Sequence, residues 1–297
     1  MSNGGGYIDL SDRILGEGEP PLFGPGSQLD PDGIELKPMD MPRDMATFEP
    51  PMAPEPEDTV GMEAAKARLG EVQAALLAYR PGDPARVFDL RDLPPADLGL
   101  VNQLLGEGEV GVMLGKSLRI QESVFAGVWR VLHFDENEAL CGDTIEVAAW
   151  PGAVRARTFA GAQTGLSGEP DAVPEGVVNA PSILIEVDEK ARAFAPGVEP
   201  HSINLSLLPH TEKDLHFLAQ ELGVGNTIAL SRGYGNCRVS STRTANVWWV
   251  QYFNSQETLI LNSIEISAVP EVVCAAPEDL ADSAERLQEV LDVYRNE

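Results

Sequence analysis

The run Ser231-Arg232-Gly233-Tyr234-Gly235-Asn236-Cys237-Arg238 brings a thiol, two guanidinium groups, a phenol and a carboxamide together in one short stretch. The glycines flanking Tyr234 permit φ > 0 and expose backbone N–H groups. The arginines offer planar forks that suit a carboxylate or a phosphate. Two readings compete: a functional loop, or a plain glycine-rich connection between strands. A nucleotide loop is not among them, because the third glycine of G-x-G-x-x-G is missing and no G-x-x-x-x-G-K-[ST] occurs. Cys237 beside Arg238 is either a thiol of lowered pKa or a small buried hydrophobe. Together with Cys274 it forms the candidate thiol or redox pair.

The remaining searches for chemistry point away from catalysis. Cys141, Cys237 and Cys274 are odd in number, widely spaced and without C-x-x-C, which disfavours a disulfide framework, a zinc site or an iron–sulfur site. His133, His201, His210 and His216 show no H-E-x-x-H or H-x-x-x-H spacing. There is no nucleophile elbow and no closely spaced acid pair with a clear partner. The expectation is a protein without enzymatic activity, cofactor or metal.

Binding is the chemistry the sequence favours. Residues 222–256 contain neither Asp nor Glu, although 47 acids in 297 residues would put about five or six in a stretch of that length. The same window carries Arg232, Arg238 and Arg243 and is locally basic. It also holds Trp248, Trp249, Tyr252 and Phe253, and strand alternation sends Trp248 and Tyr252 to one face and Trp249 and Phe253 to the other. The candidate client-binding residues are therefore Arg232, Gly233, Tyr234, Asn236, Arg238, Arg243, Trp249 and Tyr252. Trp249 and Tyr252 are read either as an exposed aromatic patch or as buried residues.

The elements that position this window belong to an internal repeat. FDLRDLPPADLGLVNQLLGEGEVGVML from Phe88 aligns with INLSLLPHTEKDLHFLAQELGVGNTIAL from Ile203. Val128 to Pro151 aligns without a gap with Val247 to Pro270. Each copy reads as a helix (62–79 or 181–194), a short strand (86–90 or 202–205), a helix introduced by a proline turn (95–105 or 211–222), and then three or four strands, the last two forming a hairpin. Thr211 and Asp214 have capping-box-like spacing, and Gly106 and Gly223 stop their helices. The expected fold is α+β: two tandem α-β-α-β-β-β units, each with helices packed on a mainly antiparallel sheet. The units are 61–155 and 180–297, joined by a Gly-rich linker 156–179, with a helix from Pro277 to Tyr294 closing the second.

Residues 1–60 differ from the rest. They hold 10 of the 23 prolines, 8 of the 28 glycines and 5 of the 7 methionines, with 13 acids against 3 bases. Such a segment reads as disordered, serving as a solvating arm or, through Met39, Met41, Met45, Phe48 and Met52, folding onto a partner. The whole chain carries a formal charge of -26 and a sequence pI near 4.4. That balance argues against nucleic acid and anionic lipid as partners. No apolar run approaches the ~18 residues of a membrane span, and the start MSNGGGYIDL lacks a secretory signal pattern, so the expected location is the cytoplasm.

Ser231 to Leu287, Ile120 to Val131 (IQESVFAGVWRV) and Ile203 to Pro209 (INLSLLP) closely resemble hydrogenase expression/formation proteins of the HupH/HyaF/HoxQ type. The resemblance runs from about residue 60 onward. It implies an accessory protein for maturation of an uptake [NiFe] hydrogenase. That role is a chaperone holding the iron–sulfur small-subunit precursor, with its twin-arginine signal peptide, in the cytoplasm alongside other maturation accessory proteins. The rival reading within the same pathway is a redox or cluster-handling factor using Cys237 and Cys274.

Overall fold

Alanine, leucine and glutamate dominate Glu63–Ala78, and these helix formers make α1, whose Ala65, Leu69, Val72 and Leu76 recur at three- and four-residue spacing and turn inward. The computed structural model describes residues 54–166, 173–233 and 235–295. The chain divides into two units, each described by itself, with residues 54–155 and 274–295 in one and most of 156–273 in the other.

In the first unit α1 is followed by β1 (Arg86–Asp89), α2 (Pro95–Leu105), β2 (Val110–Leu114), β3 (Leu118–Glu122), β4 (Val128–Phe134) and β5 (Leu140–Val147). The strands pair antiparallel in the order β1-β5-β4-β3-β2. Leu69, Val72 and Leu76 of α1 and Leu100, Val101 and Leu104 of α2 share a core with Val128, Ile145 and Val147 of the sheet.

In the second unit α3 (Ala180–Ala193), β6 (His201–Asn204), α4 (Glu212–Leu222), β7 (Thr227–Ser231), β8 (Asn236–Ser241), β9 (Val247–Phe253) and β10 (Leu259–Ile266) repeat that order. Their sheet runs β7-β8-β9-β10-β6, again antiparallel. Val187 of α3 and Phe217 and Leu222 of α4 pack with Val247, Trp249 and Ile264.

The duplication persists in individual hydrogen bonds. Trp129 Nε1 donates to the Ala148 carbonyl at 2.8 Å, and its counterpart Trp248 donates to the Ser267 carbonyl at 3.1 Å. Gly127 and Asn246 both enter their fourth strand with positive φ, +80° and +62°, a conformation that only Gly and, less readily, Asn adopt cheaply. Asp97 Oδ1 accepts the Ala65 N–H at 2.8 Å, and Asp214 Oδ1 accepts those of Val178, Asn179 and Ala180 at 2.8–2.9 Å. In each copy, then, an acid in the first turn of the second helix satisfies the start of the first, where N–H groups have no intrahelical acceptor.

The structure departs from the sequence-based expectation in four places. Each unit has four strands after its second helix, the upper of the three or four read from sequence and one more than the α-β-α-β-β-β unit, because the short Val110–Leu114 and Thr227–Ser231 segments also pair. The helix at the C-terminus, α5 (Pro277–Arg295), belongs to the first unit and not the second. Its Leu280, Ala284, Leu287 and Leu291 pack in the core that α1 lines. The linker is not a free spacer at its start: Gln163 exchanges backbone hydrogen bonds with Arg243 and Ala245 at 3.0 and 2.8 Å. Of the proline-rich segment 1–60, residues 1–53 lie outside the described residues. Pro56–Thr59 forms a 3-10 turn that buries Thr59, and Tyr294 Oη donates to the Pro54 carbonyl. No helix among the described residues is long and apolar enough to cross a membrane.

Candidate functional site

The loop between β7 and β8 carries Arg232 and Gly233 exposed at the surface, and Gly235 at φ +104°. Only glycine holds that backbone angle without strain. Tyr234 lies outside the described residues. Asn236 opens β8 half-buried opposite Phe253.

From there the register distributes the candidates over two faces. Cys237 pairs with Ser231 and Tyr252, while Arg238 pairs with Leu230 and Gln251. Cross-strand partners share a face, as do residues two apart on a strand. Arg238, Gln251 and Trp249 therefore look toward the helices, and Cys237 and Tyr252 look the other way.

Trp249 is not part of an exposed patch. It is 8% exposed, sits in the core under α3 and α4, and donates from Nε1 to Asn262 Oδ1 at 2.5 Å. The indole can be buried there because its one polar atom finds an acceptor on the neighbouring strand. Tyr252 is half-buried on the opposite face. Arg243 is exposed and lies over Gly223, beyond the last turn of α4. A cation at that position complements the negative end of the helix dipole.

Cys237 is 2% exposed, and burial pushes its thiol up to about 12, with a Tyr252 hydrogen bond offsetting only part of the effect. Burial likewise raises the Tyr252 phenol, which faces Cys237, to about 12. At neutral pH this cysteine is a thiol and not a nucleophilic thiolate, which fits the small buried hydrophobe of its two sequence-based readings and not the thiol of lowered pKa. Cys274 is half-buried and belongs to the first unit, whereas Cys237 belongs to the second. Among the described residues no group of three or more His, Cys, Asp or Glu side chains is arranged to hold a metal.

Gln251 and Asn262 complete the helix-facing row and were not singled out from sequence. Asn262 pairs with Gln251, and the two are 4–5% exposed. The repeat alignment contains the signal that finds them: Gln251 stands where the first copy has Leu132, and Asn262 where it has Asp143. In the first copy the same region closes on itself. Arg130 makes a buried, bidentate ion pair with Asp143 and donates to Asn102 Oδ1 at 2.5 Å. In the second copy Trp249 replaces Arg130, Asn262 replaces Asp143 and Ala219 replaces Asn102. The buried ion pair becomes an indole–amide hydrogen bond.

Fold and site together define a duplicated α+β protein whose second unit carries Arg232, Arg238 and Arg243 within the acid-free stretch that spans β7 to β9, and whose Cys237 thiol is buried there. Residues 62–160 and 177–294 match the family described as HupH hydrogenase expression protein, C-terminal conserved region. The chain is 48% identical over 276 residues to the hydrogenase expression/formation protein HupQ of Azotobacter chroococcum mcd 1, covering 91% of this chain and 95% of that one. It is 47% identical over 278 residues to HoxQ of Azotobacter vinelandii, with the same coverage. To HupH of Rhodobacter capsulatus it is 44% identical over 280 residues, covering 93% and 98%. The chain belongs to the HupH hydrogenase expression protein family.

Proposed function

We propose that this protein is an accessory factor in [NiFe] hydrogenase maturation that works by binding and not by catalysis. Its client is the iron–sulfur small-subunit precursor with its twin-arginine signal peptide, held in the cytoplasm before assembly and export. The second unit makes the contact through Arg232, Gly233, Asn236, Arg238, Arg243 and Tyr252. The observation that carries this reading is the 35-residue acid-free stretch, 222–256, confined to one of two otherwise matching copies in a strongly acidic chain. Family membership across both units supports the maturation role. The protonated, buried Cys237 gives no support to the redox alternative.

The test is co-purification of the small-subunit precursor from hydrogenase-expressing cells with the tagged full chain, in wild-type form and as Arg232→Ala/Arg243→Ala. Both arginines are exposed, so the variant should fold normally, and capture should fall at least tenfold. Undiminished capture would remove the site assignment, and absence of precursor from the wild-type eluate would remove the client.

A further inference from the structure

The helix-facing row of the second sheet holds donors without acceptors. Among the described residues the Arg238 guanidinium makes no hydrogen bond or ion pair, and burial alone shifts it, lowering its pKa. Its cross-strand neighbour Gln251 is 5% exposed, and its Nε2 has no hydrogen-bond partner. Beyond Gln251 lies Asn262, whose Oδ1 is already taken by Trp249. A buried amide N–H₂ left unpaired beside a desolvated cation is costly, and native structures rarely leave such groups idle.

The first copy shows what a satisfied version looks like. Arg119 stands at the position of Arg238, donates to the Gly115 carbonyl at 3.3 Å and lies over the Phe134 ring at 5.5 Å. The residue beside it is Leu132, which needs no partner, and the acid of the row, Asp143, is neutralised by Arg130. In the second copy the acid is absent, the leucine has become an unpartnered amide, and the arginine has lost both contacts.

We infer that Arg238 and Gln251 form a subsite for a carboxylate, supplied by an acidic or C-terminal residue of the bound polypeptide. The planar guanidinium offers two parallel N–H donors to the two carboxylate oxygens, and the Gln251 amide offers a third from behind. A single fork with one neutral donor matches one negative charge. A phosphate site would call for further cations or a nest of backbone N–H groups. This subsite rests on the client-binding reading for its biological partner, but its chemistry is tested independently.

The experiment titrates the full-length protein with sodium acetate at ionic strength held constant with chloride, following the Arg238 Nε–Hε NMR resonance, assigned through its loss in Arg238→Lys. A saturable displacement is expected, with affinity about tenfold weaker in Gln251→Leu and unchanged in Arg119→Lys. Gln251→Leu installs the side chain the first copy already accommodates, so the hydrogen–deuterium exchange protection of β8 and β9 should be equal to or above that of the wild type. No saturable displacement, equal displacement by chloride, equal affinity in Gln251→Leu, or tighter binding of inorganic phosphate would each overturn the assignment. A wild-type protein that binds acetate here yet captures no small-subunit precursor keeps this subsite and sinks the proposed client.

Discussion

Asp214 provides the sharpest test of the duplicated frame. Its side chain is completely buried, and Oδ1 accepts three N–H groups at the start of α3 while Oδ2 accepts the Thr211 N–H at 2.8 Å. Asp97, its counterpart, takes one N–H from the start of α1. Truncating a helix cap costs about 1 kcal/mol, and each buried donor left without an acceptor adds about 1–3 kcal/mol unless water reaches it. Val178 is mostly exposed, so water replaces part of what Asp214 supplies there, whereas Ala180 is fully buried. Asp214→Ala should therefore cost about 3–4 kcal/mol and Asp97→Ala about 1–2 kcal/mol. With two units a single unfolding midpoint is not a two-state quantity. The assay is instead hydrogen–deuterium exchange of the peptides covering α3 and α1, each compared with wild type. Burial pushes the Asp214 carboxyl up, but the N–H groups of Thr211, Ala180 and Val178 outweigh it and hold the carboxyl well below the usual carboxylate range. Its folded pKa is thus below its unfolded value, so its stabilisation is complete above about pH 4 and lost progressively below it. The deficit of Asp214→Asn relative to wild type should shrink as pH falls below about 4. Equal exchange in the two alanine variants, or a larger effect at Asp97, would refute the reasoning.

Glu122 is buried in the first unit, and burial pushes its carboxyl up to about 7, against the lowering effect of the Gly127 N–H. A raised folded pKa means that stability is full below about pH 4.5 and falls as pH rises through about 7; Glu122→Gln should abolish that slope and be more stable at pH 8 by up to about 3 kcal/mol, as read by hydrogen–deuterium exchange of the peptide covering β3 at several pH values, corrected for the intrinsic exchange rate. In the native protein at pH 7.5 iodoacetamide should alkylate exposed Cys141 and leave Cys237 unmodified until the second unit opens, a difference that peptide mass spectrometry resolves. Trp249→Arg alone should destabilise the second unit by about 3–5 kcal/mol, because it buries an unpaired cation, and Asn262→Asp should restore a large part of it; additive effects in the double-mutant cycle would show that the two positions do not meet as they do in the first copy.

Local rules made much of the fold legible. Helix α2 matches its expected limits because a proline turn starts it and Gly106 ends it, and β9 does so because its residues are β-branched and aromatic. The Thr211–Asp214 capping box forms as its spacing indicates. What the sequence did not disclose is set by partners far away along the chain. Alternation sorted Trp248 from Trp249 but does not say which face the helices cover. Trp249 is buried because Asn262, on another strand, takes its N–H. The stripe Leu280, Ala284, Leu287 and Leu291 shows that α5 packs on something, and only the tertiary structure shows that it packs in the first unit. Cys237 beside Arg238 left an activated thiol and a small buried hydrophobe both open, and strand geometry decides for the second, because adjacent residues of a strand point to opposite faces and the cation does not face the sulfur.

The two copies show how a repeat can specialise without losing its fold. Groups that close the backbone, such as Asp97 and Asp214, Gly127 and Asn246, and the indole N–H groups of Trp129 and Trp248, recur because a helix start or a strand entry leaves the same polar groups to be satisfied in each unit. Side chains on the helix-facing row are less constrained, because only the sum of their polarity must balance. The first copy balances it internally with Arg130, Asp143 and Asn102. The second removes the acid, satisfies the indole with an amide and leaves Arg238 and Gln251 without acceptors among the described residues. Replacing Gln251 by the leucine of its counterpart would stabilise an isolated unit, because it removes a buried amide without a partner. The imbalance is what the proposed carboxylate subsite would resolve, with an acceptor arriving from outside the unit.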